Sequence, residues 1–183
     1  MSWGNGRVAA RLFAVAVLGA LTAGCFQPMY AERTATGEPA LREKLSAVDV
    51  TEITTAQPAD ARLGVELRNG LLFSFTGGSS PAPPTHKLVV RMSTTKTSAI
   101  VDLTTARPDI ENYAIDVTYE LREIATNKRV LYATTFARVS YDIPGQEQRF
   151  ARIRGLRDAE SRATKQIAEN ISQRLSSFFV AGT

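Results

Sequence analysis

The sequence contains very few of the side chains that most catalytic and metal sites use: 183 residues include one cysteine, Cys25, and one histidine, His86. A lone cysteine excludes an intramolecular disulfide, and one histidine without a second thiol leaves only carboxylates as metal ligands. No Gly-x-Ser-x-Gly elbow, phosphate-binding glycine loop or His-Glu-x-x-His motif occurs. His86 lies beside a proline-rich loop, where a solvated histidine is expected rather than a general base. We therefore expect no catalytic residue, no metal and no cofactor, and the protein is not predicted to be an enzyme.

A strong charge of one sign is also missing. The chain carries 22 Lys and Arg against 18 Asp and Glu, a formal net charge of +4, and no block of like charges occurs. Two of the arginines, Arg7 and Arg11, precede an apolar run at the N-terminus. Without residues 1–24 the net charge falls to +2. This balance gives no support for a nucleic-acid partner.

The apolar run, residues 12–21, is too short to span a bilayer, because a spanning helix needs about 20 apolar residues. The preceding arginines and the following Thr22, Ala23 and Gly24 form the layout of a cleavable secretory leader. Cys25 follows at once, and this arrangement resembles the lipobox of bacterial lipoproteins, although Thr22 stands where leucine is commonest. We predict that residues 1–24 are a lipoprotein signal peptide and that Cys25 is acylated, with palmitate among the acyl chains. An ordinary secretory leader that happens to contain a cysteine is the alternative.

Two helices are predicted from apolar residues that recur every three or four positions. The first starts after Asp60, a candidate N-cap, and ends near Phe75. The second covers residues 146–179. Gly155 is its candidate break, because glycine is unfavourable in a helix interior, and the sequence leaves open whether the helix divides there. Its apolar stripe consists of Phe150, Ile153, Leu156, Ala159, Ala163, Ile167, Ile171, Leu175 and Phe178. The stripe predicts packing on a sheet, and binding to a partner or a membrane surface is the alternative.

Strict alternation of apolar and polar residues predicts strands over residues 88–93 and 113–122, and a turn at 126–128 leads into a hairpin partner. In that partner strand the apolar parity shifts, which predicts a bulge near Ala137 or an exit from the sheet. A further short strand is predicted over residues 47–55, in either direction. Together these elements predict an α+β fold, a two-layer sandwich with two helices on one face of a mainly antiparallel or mixed sheet of about four strands.

Three regions follow from this reading. Residues 1–24 are the signal peptide, residues 25–46 the lipidated N-terminus and tether, and residues 47–180 a single α+β domain. Two or more acyl chains exceed what stable anchoring requires, so the mature protein of 159 residues is expected to stay on a membrane.

Basic residues of the sheet region are the candidates for binding an anionic partner. Arg91 falls on the polar side of its strand, and Lys128 and Arg129 lie at the predicted hairpin tip. Arginine suits phosphate recognition through its bidentate geometry. The region's other basic residues are Lys87, Lys96, Arg107 and Arg138. Exposed strand faces often carry such residues, so plain solvation is the alternative for each.

The run Cys25-Phe26-Gln27-Pro28-Met29-Tyr30 resembles the start of the mature lipopolysaccharide-assembly lipoproteins of the LptE family, where a cysteine is followed closely by Phe-x-Pro-Leu-Tyr. Here the glycine usual after the cysteine is missing and Met29 replaces leucine. A second resemblance is the pattern Tyr141, Gln148, Phe150, Ala151, which continues into Arg157-Asp158-Ala159-Glu160 and a long helix. Length, lipobox and order of elements agree as well.

The resemblance implies a protein anchored by its N-terminal lipid in the outer membrane of a Gram-negative bacterium, on the periplasmic side. In the family it acts as a plug and assembly partner of a large outer-membrane β-barrel, the LptD protein, and helps to deliver lipopolysaccharide to the outer leaflet. Phe26 after the cysteine, rather than aspartate, is compatible with that location. Family members have been linked to direct lipopolysaccharide binding through basic residues, for which Arg91, Lys128 and Arg129 are the candidates here. An auxiliary lipoprotein of another envelope lipid-transport system is the alternative.

Overall fold

The computed structural model describes residues 40–99, 110–142 and 149–181. The chain divides into two compact units after Ala40, and every element described below belongs to the second unit, which starts at Leu41. The signal peptide and Cys25 lie outside the described residues, as do Arg107 and Gln148.

Five strands form one mixed sheet. They are β1 (Val48–Val50), β2 (Thr54–Thr55), β3 (His86–Ala99), β4 (Ile110–Glu123) and β5 (Arg129–Asp142). The order in the sheet is β1-β3-β4-β5, and β2 pairs with β3 beside β1. The three long strands are antiparallel, whereas β1 and β2 run parallel to β3. The predicted α+β architecture is confirmed, and the direction of the first strand, which the sequence left open, is parallel.

Alternation along the strands separates a covered face, which packs against helices, from an open face. On the covered face Leu88, Leu121 and Leu131 pair across β3, β4 and β5, and all three are buried. The remaining odd-numbered apolar residues of β4 are also buried: Tyr113, Ile115, Val117 and Tyr119. This period of two is what a sheet covered on one side requires, and it places the even-numbered residues of β4 on the open face.

Three helices cover the sheet on its apolar side: α1 (Leu41–Ser46), α2 (Ala61–Thr76) and α3 (Arg149–Ala181). The buried stripe of α3 contains Ala159, Ala163, Ile167, Ile171 and Leu175, all at 0% exposure. Burying a side chain the size of isoleucine contributes about 1.5–3 kcal/mol, so this stripe holds the helix to the sheet. Among the described residues no helix combines the length and the apolar character needed to cross a membrane.

The helices α2 and α3 run parallel, and their contacts keep one sequence offset. The Ser74 hydroxyl donates to the Ser172 hydroxyl at 2.8 Å, across 98 residues. Arg62 forms an ion pair with Glu160 across the same 98 residues. Between these two pairs, a Cβ added at Gly70 would lie 3.6 Å from the Cβ of Ala168, so the backbones approach closely there.

The start of the domain corrects the predicted tether of residues 25–46. Leu41–Ser46 is helical, and Leu41 and Leu45 are buried in the core. These two leucines are one helical turn apart and so lie on the same face of the helix, which packs on the core. Asp60 is the N-cap residue of α2, as expected, but its carboxylate makes no capping hydrogen bond and instead accepts one from the Thr94 hydroxyl at 2.7 Å.

The predicted bulge near Ala137 is wrong. β5 pairs with β4 without interruption through Ala137, and the one irregularity between them lies at Leu121 and Arg122. The shift of apolar parity has another cause: Tyr132 and Phe136 belong to the open face and are more than half exposed.

The C-terminal helix also differs from its prediction at one end. α3 continues through Gly155 without a break, because an adjacent helix and sheet supply tertiary packing that outweighs the low propensity of one glycine. The first two residues of the predicted stripe are exposed, Phe150 at 83% and Ile153 at 45%. The apolar period therefore continues beyond the part of α3 that the sheet covers.

Candidate anion-binding face

The open face of the sheet carries most of the polar and basic strand residues. Three arginines of this face surround one carboxylate, Glu120, at the middle strand. Arg122 donates from Nε to Glu120 Oε1 at 3.0 Å, and Arg129 Nη1 lies 3.8 Å from Glu120 Oε2. Arg91, on the neighbouring strand β3, acts on Glu120 through its charge. We call these four residues the Glu120 cluster.

The electrostatics of the cluster favour a bound anion. The hydrogen bond from Arg122 holds the pKa of Glu120 below its usual range, against the opposite effect of burial. Glu120 is therefore ionised at neutral pH and offsets one of the three guanidinium charges. Two positive charges remain, and the side chains of Arg129 and Arg122 are 56% and 32% exposed. These guanidinium groups have donors left for phosphate or carboxylate oxygens.

Two exposed aromatic rings extend the face along β5. Tyr132 lies opposite Glu120 in the register, and the Arg129 guanidinium stands 5.1 Å from its ring centre. Farther along the strand, the Arg138 guanidinium stands 4.5 Å from the ring centre of Phe136. Stacking holds these arginines against the sheet and leaves apolar ring surface exposed beside positive charge.

A shallow groove of about 450 Å³ runs along this face and joins its basic and aromatic parts. Arg91 and Thr118 line it toward the Glu120 cluster, and Phe136 and Asp116 line it toward the other end. A groove with an arginine, hydroxyls and an aromatic ring suits a ligand that combines phosphate or sugar groups with apolar parts.

The three predicted anion-binding residues have different surroundings. Arg91 and Arg129 both face Glu120, although they come from different strands. Lys128 is exposed in the turn before β5, where its backbone N–H donates to the Thr126 hydroxyl at 3.2 Å and its side chain forms no ion pair within the described residues. Lys96, also named from the sequence, lies on the covered face, with its Nζ 5.9 Å from the ring centre of Tyr113.

Sequence reasoning missed the two central residues of the cluster, Glu120 and Arg122. Their even positions in β4 already placed them on the polar face, but the cross-strand register that brings Arg129 and Arg91 to them is not readable from alternation. His86 also differs from the solvated residue expected: it is partly buried, and its ring lies edge-on to Phe179 at 5.3 Å. Burial lowers the pKa of His86, opposed by the charge of Glu123.

A second polar group lies on the covered face, at the other end of the sheet. Glu111 is buried and accepts hydrogen bonds from the Tyr141 hydroxyl and from Arg152 Nη2, the latter at 3.1 Å. Burial, and next the hydrogen bond to Glu111, raises the pKa of Tyr141 well above its usual range. All three groups are engaged with one another, so we assign them a structural role in holding the start of α3 to the sheet. No cluster of His, Cys, Asp and Glu suited to a metal ion occurs in the described part of the chain.

Comparisons with known proteins give one clear family. The family model described as LptE, lipopolysaccharide-assembly, matches residues 45–175, which include all five strands and most of α3. No curated protein matches the sequence. The match therefore rests on the family pattern over most of the chain.

Solved structures share the fold at low sequence identity. A protein from Caulobacter crescentus described as a lipoprotein has a TM-score of 0.58 and 19% identity, and the alignment covers 78% of this chain and 97% of that one. A minor lipoprotein from Acinetobacter baumannii has a TM-score of 0.49 and 13% identity, with 72% and 92% covered. Rare lipoprotein B from Shewanella oneidensis has a TM-score of 0.48 and 14% identity, with 73% and 98% covered. The first of these likenesses supports the fold.

Proposed function

Because this chain belongs to the LptE family of lipopolysaccharide-assembly proteins, we propose that it is a lipid-anchored, non-enzymatic component of the machinery that exports lipopolysaccharide to the bacterial outer membrane. In this proposal Cys25 carries the lipid and the domain acts as a plug and assembly partner of a large outer-membrane β-barrel. The match over residues 45–175 is the observation that carries the proposal.

The open face supports a direct role in lipopolysaccharide binding. Lipopolysaccharide combines phosphate groups, sugars and acyl chains, and the Glu120 cluster offers partly exposed guanidinium groups beside the ring of Tyr132. The same face suits a barrel lumen, because the interior of a large barrel is polar and a plug must present polar groups to it. The apolar residues of the covered face are hidden by the helices, as a plug in an aqueous lumen requires.

Co-purification tests the barrel partnership. The tagged full-length protein is extracted in detergent from native envelopes, and a large β-barrel protein is expected in the eluate. Depletion of the protein is expected to lower lipopolysaccharide at the cell surface. Recovery of a different envelope complex, with normal surface lipopolysaccharide after depletion, would overturn the proposal and favour another lipid-transport system.

Charge reversal on the open face tests lipopolysaccharide binding. The double variant Arg91→Glu and Arg129→Glu should bind lipopolysaccharide more weakly, with the largest difference at low salt because exposed charges are screened at high salt. Arg154→Glu with Arg157→Glu makes the same charge change at exposed positions of α3 and serves as the control. Lys128→Glu is measured separately, because Lys128 lies outside the Glu120 cluster. Equal binding by both double variants would show that the open face is not the binding surface.

A further inference from the structure

One end of the domain exposes apolar side chains. This hairpin end consists of the turn between β4 and β5, the start of β3 and the last turn of α3. Ile124 in the turn is 46% exposed, and Val180 near the end of α3 is 61% exposed. The two segments meet beside β3, because Ile124 N donates to Thr85 O at 2.9 Å and Phe179 packs on His86.

Basic side chains occur in the turn, at the first residue of β5 and on α1. The turn with its two flanking strand residues and α1 together carry four basic residues and two acidic ones, a net charge of +2: Arg42, Lys44, Lys128 and Arg129 against Glu43 and Glu123. Glu123 already accepts a hydrogen bond from the Thr126 hydroxyl at 2.6 Å. Long basic side chains beside exposed apolar ones are typical of elements that lie in a membrane interface, where the charges reach the headgroups.

The chain enters the domain at this same end. Helix α1 leads directly to Ala47, whose carbonyl accepts hydrogen bonds from Thr85 N at 2.9 Å and His86 N at 3.3 Å. Leu41, the first residue of α1, comes only 16 positions after Cys25. A fully extended segment of this length spans at most about 55 Å. A lipid on Cys25 therefore keeps the hairpin end within reach of the bilayer surface.

We propose that the hairpin end docks on the surface of a bilayer that contains anionic phospholipids. Ile124 and Val180 enter the interface, and Lys128 and Arg129 meet the headgroup phosphates, where each basic residue adds to the attraction. The proposal uses the lipid anchor of the proposed function but needs neither the barrel nor lipopolysaccharide. A failure of the co-purification experiment would therefore leave it standing, and the reverse also holds.

Tryptophan fluorescence tests the docking. Trp3 is the only tryptophan in the sequence and lies in the predicted signal peptide, so the processed protein accepts a single probe without a background tryptophan. Val180→Trp places the probe at the hairpin end. Val65→Trp is the matched control, because Val65 is 60% exposed and lies on α2 about 16 Å from the end of that helix. The processed, acylated protein is added to phosphatidylglycerol–phosphatidylcholine vesicles with brominated acyl chains, which quench tryptophan only when it enters the interface.

The expected result is that the probe at position 180 loses about half of its intensity, as a side chain held 5–10 Å into the interface should, while the probe at position 65 is unchanged. Adding Lys128→Glu and Arg129→Glu should lower the affinity for anionic vesicles by about tenfold or more and leave neutral vesicles unaffected. Each of three results would overturn the proposal. These are equal quenching at both positions, quenching at position 180 that is unchanged by the two charge reversals, and no association with anionic vesicles.

Discussion

Arg122 holds one carboxylate oxygen of Glu120 with two nitrogens, Nε at 3.0 Å and Nη2 at 2.9 Å. This pair sets how much positive charge the open face presents, because a paired guanidinium has fewer donors left for a ligand. The glutamate thus acts as a counter-charge within a basic surface. Its removal should change binding and folding in opposite directions.

Glu120→Gln is expected to raise the affinity for lipopolysaccharide at low salt, because it removes the negative charge among three arginines. The variant should also unfold more easily, by about 1–2 kcal/mol, since a charge-assisted hydrogen bond is lost. Binding isotherms at two salt concentrations and denaturant unfolding measure the two effects. Glu169→Gln, at an exposed position of α3, is the control. A weaker affinity for the Glu120 variant would contradict an anion-binding open face.

Tyr113 makes the folded protein less stable as the pH becomes alkaline. Its hydroxyl is buried and has no hydrogen-bond partner among the described residues, and burial raises the pKa of Tyr113 from 10.0 to about 12. A phenol with a raised pKa binds its proton more tightly in the folded protein, so its contribution is complete below pH 10 and is lost as the pH rises toward 12. Tyr113→Phe should be at least as stable as the parent at neutral pH. Above pH 10 the free energy of unfolding of the parent should fall relative to that of the variant.

Denaturant unfolding at several pH values checks this prediction. Tyr132→Phe, a change at an exposed tyrosine, controls for the loss of a phenol as such. A constant difference between the Tyr113 variant and the parent across the whole pH range would rule out the proposed coupling.

Two positions of the α3 stripe should respond very differently to alanine. Ile171 is at 0% exposure, so Ile171→Ala should cost about 2–5 kcal/mol through lost burial and a cavity. Phe150 is 83% exposed, so Phe150→Ala should stay within about 0.5 kcal/mol of the parent. Unfolding by denaturant measures both free energies. A large loss at Phe150 would mean that this side chain is buried in the folded protein.

Alanine substitutions at two glycines should change the free energy of unfolding in opposite directions. Gly77 ends α2 in the left-handed region, with φ at 61°, and its Cβ would lie 3.1 Å from Arg42 Nη2, so Gly77→Ala should destabilise by about 1–2 kcal/mol. Gly155 lies inside α3, and its Cβ would meet neighbours at an ordinary 3.5 Å, so Gly155→Ala should stabilise by about 0.5–1 kcal/mol. Thermal and denaturant unfolding compare the two. The assignment of a continuous α3 fails if the second change destabilises.

Cys25→Ala tests the lipid anchor directly. The variant should keep its signal peptide and lose labelling by a radioactive or alkyne-bearing fatty acid, because no other thiol exists in the chain. Gel mobility and acyl labelling of the full-length protein measure these effects, with Thr22→Leu as a control that should preserve processing. Normal processing of the alanine variant would exclude lipid attachment at this residue.

Periodicity in the sequence predicted the type and the buried face of individual helices and strands. The alternation from Tyr113 to Leu121 identified the central strand and its buried face, and the steps from Ala159 to Leu175 identified the buried face of α3. In both cases the pattern is long enough to dominate local propensities. The extent of each pattern was a weaker guide, because Phe150 repeats the period in a region that the sheet does not cover.

The pairing of one strand with another could not be predicted from periodicity. The cluster around Glu120 depends on a register that joins β3, β4 and β5, and one sequence contains no direct record of strand pairing. Alternation did not show which face of β5 is buried, because Tyr132 and Phe136 are aromatic residues that are more than half exposed. Their positions on the open face follow from the parity of their pairing with Glu120 and Asp116. The candidate site was therefore predicted only as separate basic residues, of which Arg91 and Arg129 face the same carboxylate.

The constant offset of 98 residues between partners on α2 and α3 has a consequence for changes in chain length. One inserted residue turns the rest of a helix by about 100°, so an insertion between Arg62 and Gly70 would carry Gly70 away from Ala168 and bring a larger residue into that narrow gap. The same insertion before Arg62 or in the loop after Gly78 would leave the two helices in phase. Length variation among relatives should therefore be concentrated outside these two matched stretches.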